Sequence, residues 1–458
     1  MRVAKSSAAA RARAIPELKF EDQKLTSFGG LVVFQKLFEV LNLGSRLGAC
    51  TLKLDRASTR FYKHSTALRC LVVHLLLGYR KLRDMDFYRD DPLVRHVLGL
   101  GHLPSVPTLS RLLGGFDEES VRLQRGLNRD LVLGRLSGEG LRRVTLDFDG
   151  SVLSTSRNAE GTAVGFNKAK KGARSYYPLF CTVAQSGQVF DHLHRGGNVH
   201  DSNGAAGFVA RCVGEVRAAL PGARLEVRMD SAFFSDAMVQ SLEGLGVEYT
   251  ISVPFERFAE LKGKIEGRRF WWPTRGTGGK GSHFEQLWKP GSWARAARFL
   301  FVRTEVKARS KAPVQLDLFE PVEEGFEYKV VVTNKRGAAG GAVRYHEGRG
   351  YQEKIFGEIK SQAQMDYIPA RRRAANEVYL NCALMAHNLA RELQMRVAKP
   401  SRGTTARRTV KWVFEELSTL RRNIIQRAGR LTHPQGKLTL TLPTNPSLKD
   451  DILRFMTA

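Results

Sequence analysis

The sequence predicts an α/β protein: a core of mixed strands and helices, interrupted by a β-rich insertion and preceded by a helical domain. Three observations carry this expectation. Helical periodicity dominates residues 27–138, strand alternation takes over near residue 141, and a Trp-rich stretch from 255 to 345 divides the core.

Residues 1–26 read as a loose basic leader. Met1 to Arg13 is Ala- and Ser-rich without the apolar centre of a signal peptide. In 27–138, Leu31, Phe34, Leu37, Phe38 and Leu41 keep helical spacing, as do Leu68, Leu71, Leu75 and Leu76. Pro104 to Leu113 reads as a capped helix start, which Ser105 or Thr108 can cap, with Ser110 and Arg111 in its first turns. A capped helix after a helix and a turn has the form of a helix-turn-helix reader, and equally of a plain three-helix unit. Residues 139–254 then give a strand over 144–150 and a hairpin of 177–184 with 188–193 around Ser186-Gly187. A helix over 205–220, a strand over 224–230, a helix over 236–245 and a strand over 247–253 follow. Three antiparallel strands, helix, strand, helix, strand is the element order of an RNase H-like core. The insertion at 255–345 holds Trp271, Trp272, Trp288 and Trp293, a Gly-rich piece at 276–281, and strands over 297–306 and 327–334, with a looped acidic spacer at 311–325. The core resumes over 346–398 with a helix around Glu353 and another over 374–395. Residues 399–458 form a basic C-terminal region.

The 458 residues carry 73 Lys and Arg against 45 Asp and Glu, a net charge of +28, while 42% are hydrophobic. That much apolar content builds packed cores, so the charge is not that of a disordered tail. It predicts a polyanion partner, most simply nucleic acid. The five cysteines form no Cys-x-x-Cys pair, which disfavours a zinc ribbon or a disulfide framework and suits reduced, buried thiols. No apolar run approaches the length of a membrane span.

The candidate chemistry begins at Val144 to Ser151. Val144, Leu146 and Phe148 point one way along this strand; Thr145, Asp147 and Asp149 point the other. Two acids on one face, closed by Gly150, suggest a divalent-metal platform. Asp149 and Asp147 compete as the first ligand, and a salt bridge to Arg142 or Arg143 is the plain alternative. A second strand ends in Asp230, which also suits a helix N-cap. Residues 349–360 read as a helix whose positions 349, 353, 356 and 360 share a stripe, with Glu358 a decoy five residues after Glu353. Asp, Asp and Glu on a basic chain are hard oxygen ligands suited to Mg²⁺ or Mn²⁺, and a pair of such ions suits phosphodiester chemistry.

The succession of Asp149-Gly150-Ser151, Met229-Asp230-Ser231-Ala232-Phe233-Phe234 and Arg349-x₃-Glu353-x₆-Lys360 resembles the DDE transposases of bacterial insertion sequences. It is most similar to the branch with a Tyr-Arg-Glu-Lys signature, and within it to the thirteen-eighty family of insertion sequences. Gly165-Phe166-Asn167, Tyr177-Pro178-Leu179 and Arg195 to His200 match as well, so the likeness spans about residues 50–395. One departure is that His346 stands where the signature has Tyr, with Tyr345 one residue earlier. The resemblance implies an RNase H-like catalytic core with an N-terminal DNA-binding domain, and two Mg²⁺ (or Mn²⁺) ions on Asp149, Asp230 and Glu353. It implies cutting and rejoining of the element's ends: water frees a 3′-hydroxyl, which then attacks target DNA. The partners would be double-stranded DNA, as terminal inverted repeats and target, and a second copy of the chain on that DNA. The place would be the bacterial cytoplasm, at the nucleoid.

Arg349 and Lys360 would meet phosphates beside the acids. Lys168, Lys170, Lys171 and Arg174 form a basic loop that would grip backbone. Arg371, Arg372 and Arg373 open a stretch to residue 430 with 14 Lys and Arg against four Asp and Glu. Trp272, or Trp271, would stack on an unpaired base near the cut, unless both are core residues. His387-Asn388 reads as a packed, hydrogen-bonded pair, and His192, His194 and His200 lack the partners of a zinc site. Two rivals share these features: a structure-selective nuclease of the same fold, and a domesticated or inactive DNA-binding relative.

Overall fold

Strict alternation over Arg143–Gly150 makes this segment a strand of a nine-stranded sheet, with two strands on one side of it and six on the other. The computed structural model describes residues 16–155, 158–167, 169–200, 203–274, 281–305, 326–401 and 412–457. Most of the basic leader, Lys168 and the 311–325 spacer lie outside the described residues.

Arg143–Gly150 pairs antiparallel with Leu179–Val183, which continues antiparallel to Gln188–Leu193. On its other side it runs parallel to Arg224–Met229, itself parallel to Glu248–Val253. Parallel neighbours need a crossover, and the helices Ala205–Ala219 and Asp236–Gly244 supply it. Val144, Leu146 and Phe148 join the core under these helices, where Phe148 meets Phe208 edge-on at 5.8 Å. The opposite face, with Thr145, Asp147 and Asp149, lies under the helices Ala339–Glu347 and Gly350–Gln362.

The stretch expected as a β-rich insertion adds its strands to this same sheet. Phe326–Thr333 pairs antiparallel with Glu248–Val253, followed outward by Ala297–Glu305, Gly281–Trp288 and Trp272–Pro273. A core edge strand offers unpaired N–H and C=O groups, so the insertion continues the ladder instead of building a separate layer. The division placed between residues 345 and 346 falls inside the helix Ala339–Glu347.

The N-terminal helices do not stand alone. Leu31–Val40, Leu43–Arg56, His64–Leu77 and Val106–Gly114 share one core with the long helix Arg373–Val397 and with Leu417 to Phe455 from the C-terminal region. Leu25–Thr26 pairs with Gly429–Thr432, which pairs with Thr439–Thr441. Ser105 caps Val106–Gly114 through its hydroxyl; Leu109, Leu112 and Leu113 are buried, and Ser110 and Arg111 stay exposed. All five cysteines are free and buried. Among the described residues no helix is long and apolar enough to cross a membrane.

Candidate active site at the ends of two parallel strands

The parallel ladder of the two central strands runs from Arg143–Arg224 to Phe148–Met229 and stops one step before Asp149 and Asp230. The two acids thus close adjacent strands at the same end. Asp149 is half-buried; one oxygen accepts the Gly150 N–H at 2.8 Å and the other accepts from Arg349 at 3.1 Å. Asp230 is extended and caps the turn Ser231–Phe233 through the Ala232 N–H at 3.0 Å, the capping expected for it.

Gly350–Gln362 delivers the third acid. Arg349 precedes its first turn and lies 3.7 Å from Glu353, one turn on, so a single guanidinium bridges Asp149 and Glu353. Glu353 keeps 68% of its side chain exposed. Further along the same helix Lys360 is half-buried; burial pulls its ammonium below the usual lysine value, against the opposing charges of Asp366 and Asp149. Glu358 belongs to a different setting. It pairs with buried Arg391 and accepts the Leu417 N–H at 3.0 Å. Burial lifts its carboxyl above the ordinary glutamate value, with Arg391 opposing.

Asp147, the rival first ligand, is 2% exposed and meets Arg228 through both oxygens, at 2.5 and 2.7 Å. Its partner is neither Arg142 nor Arg143, because the parallel register sets Asp147 beside Arg228 on the neighbouring strand. Arg143 instead joins Glu226 and Glu248, which also hold Lys335. Asp147 is thus buried against Arg228, whereas Asp149 is only half-buried, at the strand end beside Arg349.

Among the described residues no group of three His, Cys, Asp or Glu side chains forms a ready metal cage. The donor set still suits a hard dication: the groups are carboxylates, and one cation, the Arg349 guanidinium, is already shared between two of them. The departure at Tyr345-His346 has a physical outcome. The Tyr345 ring lies under Arg228 at 5.1 Å and Lys335 at 4.1 Å, while His346 joins the Thr250 and Ser252 hydroxyls at 2.9 and 2.7 Å.

The expected nucleic-acid contacts are spread more widely. Lys170 and Lys171 are exposed on a loop that the Asn167 side chain braces through the Lys170 N–H, and Arg174 is exposed at the start of the strand Arg174–Tyr176, where it donates to the Thr162 hydroxyl and carbonyl. Arg371, Arg372 and Arg373 are exposed; Arg372 also donates to the Gly114 carbonyl and Arg373 to the His194 carbonyl. Trp271 is 8% exposed and packs on Phe284, which makes it a core residue. Trp272 is 57% exposed beside Phe270 but sits on the outermost strand. Six strand steps separate it from the Asp149 strand, up to about 29 Å along the sheet. The expected stacking beside the cut therefore does not follow from its position. His387 and Asn388 are buried and hydrogen-bonded to Gly187 and Val189. His192 and His194 both turn to Glu377, at 3.3 and 3.4 Å.

Sequence reasoning missed Arg228, Gln352, which donates to the Asp147 carbonyl at 3.0 Å, and Gly348, which lies against Arg228. The signal for Arg228 was present: Glu226, Arg228 and Asp230 alternate on one strand as Thr145, Asp147 and Asp149 do on the other.

None of the curated proteins searched matches the chain. Among solved structures it is similar to piggyBac transposase in a cryo-EM synaptic complex with hairpin DNA, at 13% identity and a TM-score of 0.42. That match covers 79% of this chain and 74% of the other. The family profile described as "Transposase DDE domain group 1" matches residues 9–458. With nearly the whole chain inside that match, the protein belongs to this family of DDE transposases.

Proposed function

We propose that this transposase cuts and rejoins the ends of a bacterial insertion sequence, with Asp149, Asp230 and Glu353 as its catalytic acids. The observation that carries the reading is the Arg349 bridge. It joins Arg349, and Glu353 one turn after it, to Asp149 across 200 residues of sequence, at the end of the strand beside that of Asp230. The order of the five core strands, with three antiparallel and two parallel members, supports an RNase H-like core. The three acids would hold two Mg²⁺ or Mn²⁺ ions, which would supply positive charge to the attacking and leaving oxygens.

The chain's own groups do the rest. Arg349 neutralises Asp149 and Glu353 and is placed to exchange that contact for a phosphate oxygen of bound DNA. Lys360 adds a second cation on the same helix face. Exposed Lys170, Lys171, Arg174 and Arg371 would hold DNA backbone, which fixes position without reading sequence. Two ends brought together imply two copies of the chain on DNA.

The test uses the full chain, duplexes of its own terminal repeats and Mg²⁺. Asp149→Asn, Asp230→Asn and Glu353→Gln should each abolish nicking and joining, because neutral amides ligate Mg²⁺ poorly. End affinity should stay within about threefold, since phosphate contacts elsewhere carry it. Cleavage near the wild-type rate in any of the three would remove that residue from the site. Nicks without joined products would favour a structure-selective nuclease.

A further inference from the structure

Asp147 and Arg228 form a buried ion pair directly behind the acids. Arg228 gives Nε and Nη2 to the Asp147 carboxylate at 2.5 and 2.7 Å, and Nη1 to the Tyr345 carbonyl at 2.8 Å. Gln352 donates to the Asp147 carbonyl at 3.0 Å. One guanidinium thus ties together the strand ending in Asp149, the strand ending in Asp230 and the helix preceding Glu353. Each acid is a short covalent step from a knot of this network: Asp149 two residues after Asp147, Asp230 two after Arg228, Glu353 one after Gln352. Gly348 belongs to the same knot, because a Cβ there would lie 2.2 Å from Arg228 Nη1.

Stability alone does not explain such a pair. Taking both charges out of water offsets most of their attraction, and an apolar pair of equal volume commonly serves a core as well. What an apolar pair lacks is the directional fork. A displacement of about 1 Å at reacting groups can cost about a hundredfold in rate, so a fixed link from the two acid-bearing strands to the helix Ala339–Glu347, with Gln352 tying in the Glu353 helix, has a use at this place. We infer that Asp147 and Arg228 are positioning residues, with Gly348 and Gln352 as their supports, and that they set the spacing of the three acids. This rests on the assignment of those acids proposed above.

The decisive variant replaces the pair together, Asp147→Leu with Arg228→Met, in the full chain. Its melting midpoint without metal and its affinity for the terminal-repeat duplex should match wild type. Single-turnover cleavage at saturating DNA should fall about a hundredfold, and the rise in melting midpoint on adding Mg²⁺ should shrink. Arg228→Lys keeps the charge without the fork, and Gly348→Ala keeps every polar group but crowds Arg228. Both should show the same split, lowered turnover at unchanged DNA affinity. Wild-type turnover in the double variant overturns the inference. Should that variant not fold, wild-type turnover in Arg228→Lys and Gly348→Ala overturns it. Asp149→Asn is the control: if it cleaves like wild type, the assignment of the acids fails and the inference falls with it. A dead Asp149→Asn beside a fully active double variant sinks the positioning role alone.

Discussion

Glu353 keeps 68% of its side chain exposed, whereas Glu358 on the same helix keeps 9%. The first shares Arg349 with Asp149; the second neutralises Arg391 inside the core. Their substitutions should separate cleanly in denaturant melts. Glu353→Gln should change stability by no more than about 0.5 kcal/mol, as for other exposed sites. Glu358→Ala leaves a buried guanidinium without its partner and should cost about 3–5 kcal/mol. Equal losses in both would mean that the exposure of Glu353 is not maintained in solution. The pairing of Glu353 with Arg349 follows from their spacing on one helix, whereas the partner of Glu358 lies 33 residues away on another. The role of Asp147 was not legible in that way. Its partner lies 81 residues away, and nothing in a strand's own alternation names the residue across the ladder.

At the scale of elements, Asn388 shows how the helix Arg373–Val397 is fixed to the sheet. Its amide gives hydrogens to the Val189 carbonyl and to Asn128 Oδ1 at 2.7 and 2.8 Å, and its oxygen accepts the Val189 N–H at 2.8 Å. Asn388→Leu would strand these buried partners, each at about 1–3 kcal/mol. The expected result is a loss of at least about 3 kcal/mol in urea melts, with hydrogen exchange at Val189 accelerated most. Unchanged stability would show that water replaces the amide. The helix itself, the core strands and the crossover helices were readable from periodicity, because burial imposes a local period on each. The joining of the insertion to the core sheet was not. It depends on which edge is left open after the core strands pair, a property of the assembled sheet. For the same reason the sequence marked Trp272 as an unusual aromatic but could not place it six strand steps from the Asp149 strand.

For the whole molecule, the net charge of +28 predicts salt-sensitive DNA binding. Replacing exposed Lys170 and Lys171 with Ala should reduce the slope of log K against log salt by about 0.9 for each phosphate that is no longer neutralised. An unchanged slope would make that loop a solvated surface. Composition could announce the charge, yet it could not reveal that the two ends of the chain share one core. Gly30 approaches the Ile424 carbonyl so closely that a Cβ would lie 1.8 Å from it. Arg421 donates to the carbonyls of Leu76 and Leu75 at 2.6 and 2.8 Å, closing the buried C-terminal end of the helix His64–Leu77.

Leu417, Leu420, Ile424, Ile425, Leu431, Leu448, Ile452 and Phe455 complete the core beneath the N-terminal helices. Each such side chain contributes about 1.5–3 kcal/mol on burial, against a net stability of only about 5–15 kcal/mol for a typical fold. A chain ending at residue 401 should therefore lose more than its margin. Leu25–Thr26 would have no strand to pair with, and the apolar faces of the first helices would meet water. The expected result is rapid proteolysis between residues 31 and 77 and no cooperative thermal transition for that region, while the full chain resists both. Equal protection of those helices in the shortened chain would show that residues 402–458 are a separable basic tail.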